Sequence, residues 1–425
     1  MIVSLYETNA KITKDPIVGL VQLAAKDDAK EKFTAIIGSA MDDEGKLIVP
    51  DPVNDAAKEL LKDGMDMSYA PSSGVKGLAD LMANEVLGKN VQVELERLGL
   101  FRAQLVTCAG TNAISTAIMS CTNIEDEIIT HNPHWAGYDS ITLALKRPAL
   151  INFEILDEDD NFNAKAFAET VAQVANKHSK AKITIILNTP FDNPLGKDFG
   201  DKAWEQIADV LAQYNDREIL LILDTAYIDF GPGGKDYKRL SFLTKLFQKV
   251  KNPSFNLVIA ATVSKSFAMY GARVGVSILI TSNGESAKNW HDVIGGTIRG
   301  TFSNVNNFAQ LMVKKIIEKP NKLAFIHDFQ ALTADLIQKR TQVFLEAFDS
   351  VGFNDFRYIK PDGGFFVSLK FADIEYAKKF NAQMLEKHFY APLIADQYLR
   401  IPVCGLSEEK LQVCVGKLSL IQKEI

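Results

Sequence analysis

Seven short apolar runs that alternate with helical patterns constrain the fold of this chain more than any other feature. They lie at residues 104–108, 127–130, 150–155, 183–187, 219–223, 257–260 and 274–280. Each run is nearly continuous in apolar residues and is bounded by turn residues, which is typical of a strand covered on both faces of its sheet. Strands that alternate with helices predict a layered α/β domain. The chain has 425 residues and is 47% hydrophobic, which is enough for a large core and for two or three domains.

The pattern changes from about residue 320. A long helical pattern, two strand-like segments and a final helix follow at 324–351, 356–359, 364–369 and after Ser407. We interpret this part as a smaller α+β domain. Residues 1–50 contain no strand that matches the large sheet, and we expect them to join the smaller domain. The predicted division is a large domain over 51–319 and a small domain over 1–50 and 320–425.

Composition and charge argue against several classes of function. Acidic and basic residues are well mixed and the net charge is −6, so no basic face for nucleic acid is expected. No pair of the four cysteines has C-x-x-C spacing, which argues against a disulfide framework or a zinc site. His131 and His134 are the only close histidine pair, with no carboxylate or cysteine at a ligand spacing beside them. We therefore expect no metal.

Two stretches bear on the location of the protein. Residues 1–7 lack the basic region and the sustained apolar core of a signal peptide. The most apolar long stretch, 257–280, contains Lys265 and Arg273, and we do not expect it to span a membrane. The sequence therefore predicts a cytoplasmic protein.

Candidate chemistry follows the carboxyl ends of the predicted strands, where open α/β sheets bind ligands. Lys265 comes after the apolar run 257–260 among small hydroxyl residues, and Arg273 stands eight positions later. A lysine held in a pocket at a strand end loses hydration, which lowers its pKa and makes it nucleophilic. This setting suits a Schiff base to an aldehyde cofactor, with the hydroxyl groups and the arginine near the cofactor's phosphate. The alternative is a solvated surface lysine.

Three polar residues follow the neighbouring strands. Asp224 ends a buried run and suits a carboxylate that keeps a pyridine nitrogen protonated, unless it is only a helix N-cap. Tyr227 lies three residues on, within reach of the same ligand, or is a half-buried core tyrosine. Asn193 lies in an Asn-Pro turn that fixes its amide toward the site, although such a turn is also common without a function.

Four further residues are candidates for cofactor or substrate binding. At Gly110 and Thr111 a strand turns into a helix, where backbone N–H groups bind phosphate. Trp135 follows a strand and suits stacking on a planar cofactor, and a core role is equally compatible. Arg400 interrupts an apolar segment, and its planar fork fits the α-carboxylate of an amino acid unless it forms an internal salt bridge.

In their order and spacing these motifs resemble the fold-type I pyridoxal phosphate-dependent aminotransferases of class I/II, most of all the aspartate and aromatic aminotransferase group. The resemblance extends over nearly the whole chain. It implies the PLP-dependent transferase fold, with a mostly parallel mixed sheet between helices in the large domain and a smaller α+β domain beside it. It also implies pyridoxal 5'-phosphate as the cofactor.

The resemblance also implies a role for each candidate residue. Lys265 would form the Schiff base and transfer the proton, and Asp224 would pair with the pyridine nitrogen. Tyr227 and Asn193 would hydrogen-bond the ring oxygen, and Trp135 would stack on the ring. The phosphate would be bound by Gly110, Thr111, Thr262, Ser264 and Arg273, and the substrate α-carboxylate by Arg400 and Gly38. Trp135 and Asn193 are expected to border the substrate as well.

Two residues are expected to act across a subunit boundary. Tyr69 resembles the tyrosine that reaches the phosphate of the neighbouring subunit, and Arg299 the arginine that binds a side-chain carboxylate there. The alternative for Arg299 is a surface arginine in a loop. The resemblance thus implies a homodimer with shared active sites, with dicarboxylic substrates if Arg299 has this role. Aromatic substrates remain open.

The chain departs from the family pattern at several positions. Asp192 stands where histidine is common, Leu195 replaces a threonine, and Tyr138 stands where aspartate aminotransferases often carry a histidine. Residues 305–306 replace the usual pair of prolines. These differences bear on the choice of substrate and leave the lysine region unchanged.

The sequence therefore predicts an aminotransferase that moves an amino group from an L-amino acid of aspartate or aromatic type to a 2-oxo acid. The expected acceptor is 2-oxoglutarate, and the expected intermediate is pyridoxamine phosphate. A PLP-dependent β-lyase or decarboxylase on the same scaffold is an alternative. A cofactor-binding regulator is a further one, although the small-domain segment begins almost at Met1 and leaves no room for a helix-turn-helix.

Overall fold

The computed structural model describes residues 16–177, 182–233 and 240–425. Its strands are β1 (Phe33–Thr34), β2 (Phe101–Thr107), β3 (Ile128–Asn132), β4 (Ile151–Glu154), β5 (Ile183–Asn188), β6 (Ile219–Asp224), β7 (Phe255–Thr262), β8 (Gly275–Thr281), β9 (Phe356–Ile359), β10 (Val367–Phe371), β11 (Phe389–Tyr390), β12 (Leu393–Ile394) and β13 (Tyr398–Ile401). Its helices are α1 (Pro16–Lys26), α2 (Asp51–Lys62), α3 (Leu78–Arg97), α4 (Ala109–Cys121), α5 (Gly137–Ala144), α6 (Ala164–Ala175), α7 (Gly200–Leu211), α8 (Phe242–Lys249), α9 (Val263–Ser266), α10 (Gly284–Thr301), α11 (Asn307–Ile317), α12 (Pro320–Val351), α13 (Ile374–Glu386) and α14 (Glu408–Glu424).

All seven predicted strands of the large sheet are confirmed. The sheet has the order β2-β8-β7-β6-β5-β3-β4. Strand β8 is antiparallel to both of its neighbours, β2 and β7, and the other strand pairs are parallel. The carboxyl ends of β2, β3, β5, β6 and β7 therefore meet at one edge of the sheet.

The apolar runs are continuous because both faces of the sheet are covered. In β6, Leu221 and Leu223 belong to the core cluster that contains residues of α3, α6, α7 and α8. Leu220 and Ile222 belong to the cluster on the other face, which contains residues of α4, α5 and α10. Successive side chains of a strand point to opposite faces, so every position of β6 has to be apolar until the strand ends at Asp224.

The C-terminal part forms a second, antiparallel sheet with the order β12-β13-β10-β9, and it has its own phenylalanine-rich core. The long helix is confirmed and begins earlier than expected, because Pro320 suits the first helical turn, and it ends at Gly352 in a left-handed conformation. Strand β10 begins at Val367, later than predicted, because Gly364 (φ +76°) packs tightly against Phe191 as part of a loop.

Strand β1 pairs in parallel with β11, so an early segment of the chain contacts the C-terminal part. The domain boundaries at residues 51 and 320 stay a prediction. Residues 1–15, which include the expected start of the small domain and the stretch that argues against a signal peptide, lie outside the described residues. Among the residues that the structure describes, no helix combines the length and apolarity needed to cross a membrane.

Candidate active site

A cavity of about 600 Å³ lies at the sheet edge where the parallel strands end. Ten of the predicted site residues line it: Gly110, Thr111, Trp135, Asn193, Asp224, Tyr227, Thr262, Ser264, Lys265 and Arg273. They come from segments that are far apart in sequence and meet because their strands are neighbours in the sheet. The remaining lining residues are Ala109, Asn188 and Ala226.

Lys265 enters the cavity from α9, a single helical turn that follows β7. Its Nζ lies over the ring of Tyr227, 5.1 Å from the ring centroid. Burial lowers the pKa of this amine, the positive charge of Arg273 lowers it further, and the nearby Asp224 opposes both effects. The amine of Lys265 is therefore neutral and nucleophilic to a greater extent than the amine of a surface lysine.

Asp224 is the last residue of β6 and is buried. Its Oδ2 accepts a hydrogen bond from the Tyr138 hydroxyl at 2.9 Å, and its Oδ1 accepts one from the backbone N–H of Ala226 at 3.2 Å. Burial raises the pKa of this carboxyl, while Lys265 and the two donors favour its charged form. A turn rather than a helix follows Asp224, so it does not serve as a helix N-cap.

A pair of asparagines fixes the neighbouring wall. Asn188, the last residue of β5, donates its side-chain N–H to the carbonyl of Asp224 at 2.8 Å and accepts the backbone N–H of Asn193 at 2.7 Å. The side-chain amide of Asn193 in turn lies 3.4 Å from the Tyr227 hydroxyl. The turn that holds Asn193 is therefore bound to the ends of two central strands.

The other end of the cavity contains hydroxyl groups and a guanidinium. The hydroxyl of Thr262 accepts the backbone N–H of Ser264 at 3.1 Å and lies 2.8 Å from the Ser264 hydroxyl. Arg273 Nη1 donates to Ser264 Oγ at 3.2 Å and to the carbonyl of Tyr270 at 3.1 Å. Hydroxyl and guanidinium groups in this arrangement suit an oxyanion.

The start of α4 borders the same end. No side chain caps this helix, and the backbone N–H groups of its first turn, at Gly110 and Thr111, are the groups that a helix directs toward an anion. Gly275 at the start of β8 permits the backbone at the start of α4 to approach β8 closely. A Cβ on Gly275 would lie 2.6 Å from the Ala261 carbonyl oxygen and 2.7 Å from the Ala109 carbonyl carbon.

Trp135 forms a partly buried wall of the cavity. Its ring meets the ring of Tyr138 edge to face, with centroids 5.4 Å apart and an interplanar angle of 85°. Gly137 leaves room for the indole, since a Cβ at that position would come within 2.3 Å of it. Both the stacking role and the core role foreseen for this tryptophan are compatible with its position.

Arg400 is buried and adjoins the cavity without lining it. Its guanidinium donates to Asn193 Oδ1 at 3.0 Å and to the carbonyl of Ile36 at 2.7 Å. The guanidinium carbon lies 4.3 Å from the centroid of Phe366. Gly38 packs against the same ring, because a Cβ on Gly38 would lie 2.4 Å from it. Both of these acceptors are amide carbonyl oxygens.

Tyr69 and Arg299 are not brought to the cavity. The side chain of Tyr69 is 88% exposed. Arg299, near the end of α10, is also exposed and hydrogen-bonds the Ser303 hydroxyl. Their expected action across a subunit boundary stays a prediction.

Sequence reasoning did not select two buried residues of the site, Asn188 and Tyr138. Asn188 carried a usable signal, because it is a polar residue directly after the apolar run 183–187. Tyr138 was noted only as a departure from the family. Its hydrogen bond to Asp224 spans 86 positions of sequence and is a product of the fold.

Comparison with known proteins gives a consistent result. The family model described as aminotransferase class I and II matches residues 37–418. The chain is 26% identical to a probable aspartate/prephenate aminotransferase of Aquifex aeolicus over 390 residues, 88% of each chain. Its fold is similar to that of an aminotransferase from Anaerococcus prevotii, with a TM-score of 0.83 and 24% identity over 99% of both chains. It is also similar in fold to an aromatic-amino-acid aminotransferase from Burkholderia pseudomallei covalently bound to pyridoxal phosphate, with a TM-score of 0.79 and 20% identity over 99% of this chain and 100% of that one.

Proposed function

This chain belongs to the class I and II aminotransferases, and from that premise we propose that it transfers the amino group of an L-amino acid of aspartate or aromatic type to 2-oxoglutarate. It is a pyridoxal phosphate-dependent enzyme, and in our proposal the amino group is held as pyridoxamine phosphate between the two half-reactions. The observation that carries the proposal is the shared cavity of Lys265, Asp224 and Arg273, with a desolvated amine, a buried carboxylate and an exposed guanidinium.

The residues of the cavity fit the cofactor at both ends. The ring nitrogen needs a carboxylate, which Asp224 offers, and Trp135 would cover one face of the ring. Asn193 and Tyr227 would hydrogen-bond the ring oxygen. The phosphate needs several hydrogen-bond donors, which would come from Gly110, Thr111, Thr262, Ser264 and Arg273. An acceptor at one end and donors at the other leave one orientation in which each charge meets its complement.

The roles of the protein groups follow from their chemistry. When bound, the cofactor supplies an electrophilic carbon and an electron-withdrawing ring. Lys265, with its lowered pKa, provides the amine and moves the proton at the α-carbon of the substrate. Asp224 would hold the ring nitrogen and favour its protonated form. Arg400, with its guanidinium adjoining Asn193, would bind the α-carboxylate of the substrate.

The assembly and the substrate side chain are parts of the same proposal. We infer a homodimer in which Tyr69 reaches the partner's phosphate site and Arg299 reaches a side-chain carboxylate of the substrate. The exposure of both side chains in the single chain supports this inference, because a side chain that acts in the partner's site is not buried in its own subunit. Gly38 would let the substrate approach next to Phe366. The cytoplasmic location stays a prediction.

The decisive experiment follows the absorbance of the holoenzyme when glutamate is added without an acceptor. We expect the bound-cofactor band to shift in wild-type protein and to stay unchanged in Lys265→Ala. Lys370→Ala is the matched control, because Lys370 Nζ also lies over a tyrosine ring, 5.6 Å from the centroid of Tyr398. Wild-type protein with bound cofactor and an unchanged spectrum would contradict the proposal.

Two further measurements would identify the type of reaction and the class of amino donor. Ammonia or carbon dioxide released without dependence on an oxo acid would indicate a lyase or decarboxylase instead. If Arg299 binds a side-chain carboxylate, Arg299→Gln lowers kcat/KM for glutamate by about 10- to 100-fold, as expected for a charged hydrogen bond, and leaves aromatic donors within about twofold. Equal losses for both donor classes would remove Arg299 from the substrate site.

A further inference from the structure

The carboxylate of Asp224 is bound at both of its oxygens before any ligand is considered. The backbone N–H of Ala226 occupies Oδ1 and the hydroxyl of Tyr138 occupies Oδ2, at 3.2 and 2.9 Å. Two donors on different oxygens fix the plane of a carboxylate as well as its position. Only the Tyr138 donor comes from another part of the fold, on α5.

Tyr138 is itself held firmly. Its side chain is fully buried. The ring meets Trp135 edge to face and stacks on the ring of His134, with centroids 6.0 Å apart and an interplanar angle of 13°. Its position after Gly137, where no side chain would fit beside Trp135, places it at the start of α5. The hydroxyl therefore has one well-defined direction.

The electrostatic surroundings keep the hydroxyl protonated. Burial and the negative charge of Asp224 hold the pKa of Tyr138 well above its ordinary value, and Tyr227 and Asp192 act in the same direction. Lys265 is the cation that faces Asp224 from α9.

Two histidines precede Tyr138 in the sequence, and one of them, His134, contacts its ring. His134, stacked on its ring, pairs with Asp139 at 3.0 Å. His131 is kept neutral, since burial lowers its pKa to about 3. Neither of them hydrogen-bonds Asp224, so the donor to Oδ2 is a group that does not titrate in the physiological range. A histidine at position 138 would titrate there.

We propose that Tyr138 is a positioning residue, which donates its hydroxyl hydrogen bond to Asp224 Oδ2 and thereby orients the carboxylate toward the ring nitrogen of the cofactor. This inference rests on the proposed function of the same cavity. Removing the hydroxyl would leave a buried carboxylate with one donor fewer and with freedom to rotate, which weakens its hold on the ring.

The test begins with Tyr138→Phe, which keeps the ring and removes the donor. We expect the half-reaction rate with glutamate to fall about tenfold, with the KM for glutamate within about twofold, as for loss of one hydrogen bond to a charged group. The affinity of the apoprotein for pyridoxal phosphate should fall several-fold in equilibrium dialysis. The matched control is Tyr358→Phe, because the Tyr358 hydroxyl also donates to an aspartate, Asp349, at 3.3 Å on the surface.

Tyr138→His distinguishes positioning from packing. A histidine at this site regains part of the rate and adds an inflection between about pH 5 and 8 to the absorbance of the bound cofactor. Asp192 and Lys265 are common to both variants, so the difference between the His and Phe profiles isolates position 138. If the Phe variant does not fold, the rate and the pH dependence of the absorbance are compared between the His variant and wild type, and this comparison tests the inference.

Two results would overturn the inference. One is a Phe variant with the rate and cofactor affinity of the Tyr358 control. The other is a His variant that loses as much as Phe and shows no added inflection, which would assign Tyr138 to packing alone. A wild-type protein that does not react with glutamate at all would instead refute the proposed function, so the two failures are distinguishable.

Discussion

The two ends of the cavity differ in how much of their geometry the protein fixes by itself. At the end that we propose holds the cofactor ring, called the ring end, Asp224, Asn188 and Tyr138 are no more than 6% exposed and are joined by hydrogen bonds. At the end that we propose holds the phosphate, called the phosphate end, Thr111 and Arg273 are exposed to solvent. The ring end is thus preorganised, whereas the phosphate end combines the buried Ser264 with two side chains that face water.

This difference predicts how substitutions divide their effects. In the proposed function, groups at the ring end act on charge that develops during the reaction, and a preorganised group of this kind contributes to the rate. Groups at the phosphate end would act equally before and during the reaction, so we expect them to contribute to cofactor retention. Substitutions at the two ends with the same effect on rate and on cofactor affinity would contradict this division.

The largest effect is expected for Asp224→Asn, which keeps the shape and removes the charge. We expect kcat to fall by about 10³-fold, since the protonated ring nitrogen loses its buried counter-charge, and the affinity for pyridoxal phosphate to fall much less. Single-turnover absorbance and equilibrium dialysis measure the two quantities. Asp126→Asn is a matched control, because Asp126 is also buried and accepts a backbone N–H, from Asn123 at 2.7 Å. A variant that loses the cofactor but keeps its rate when saturated would reverse the assignment of the two ends.

Burial at the ring end also predicts a pH-dependent stability. Asp192, next to Asn193, is fully buried, and burial raises its pKa to about 7 although it accepts backbone N–H groups from Leu195 and Lys197. Because the folded state holds this proton more tightly than the unfolded state, the associated stability is complete below pH 4 and is lost as the pH rises through about 7. The loss is at most about 4 kcal/mol.

Urea denaturation of wild type and Asp192→Asn at several pH values measures this contribution. We expect the free energy of unfolding of wild type to fall relative to the variant between pH 4 and 7. Asp198, with a pKa raised to about 6, and Glu59, with one lowered to about 2, are present in both proteins and cancel in the difference. Parallel curves for the two proteins would show that Asp192 does not titrate in this window.

Local sequence patterns predicted some residues of the site but not the contacts between them. Asp224, Lys265 and Asn193 were predictable because each follows a continuous apolar run, so a local pattern places a polar group at the sheet edge. The large sheet was predictable for the same reason. The Tyr138–Asp224 contact was not, because it depends on how α5 packs beside β6, and no local pattern encodes that distance.

The regions beyond the cavity set the other limit. Strand β10 begins three residues later than expected, because Gly363 and Gly364 close on Phe191 of a distant turn. Tyr69 and Arg299 were inferred from resemblance alone, and a single chain provides no contact that fixes their partners. Tertiary packing and assembly are thus the parts that a strand-and-turn pattern leaves open.

The smallest of the three effects is expected at the exposed end, for Arg273→Ala. The guanidinium donates to the Ser264 hydroxyl and adds positive charge beside Lys265, and removing it should weaken pyridoxal phosphate binding by about 10- to 100-fold, the value of one or two charged hydrogen bonds. At saturating cofactor, kcat should stay within a fewfold of wild type. Pyridoxal without its phosphate is the sharpest control, because its affinity should hardly change in the variant. If both cofactor forms lose affinity equally, Arg273 acts through the fold of its turn, where it has φ +55°, and the phosphate end is defined by other residues.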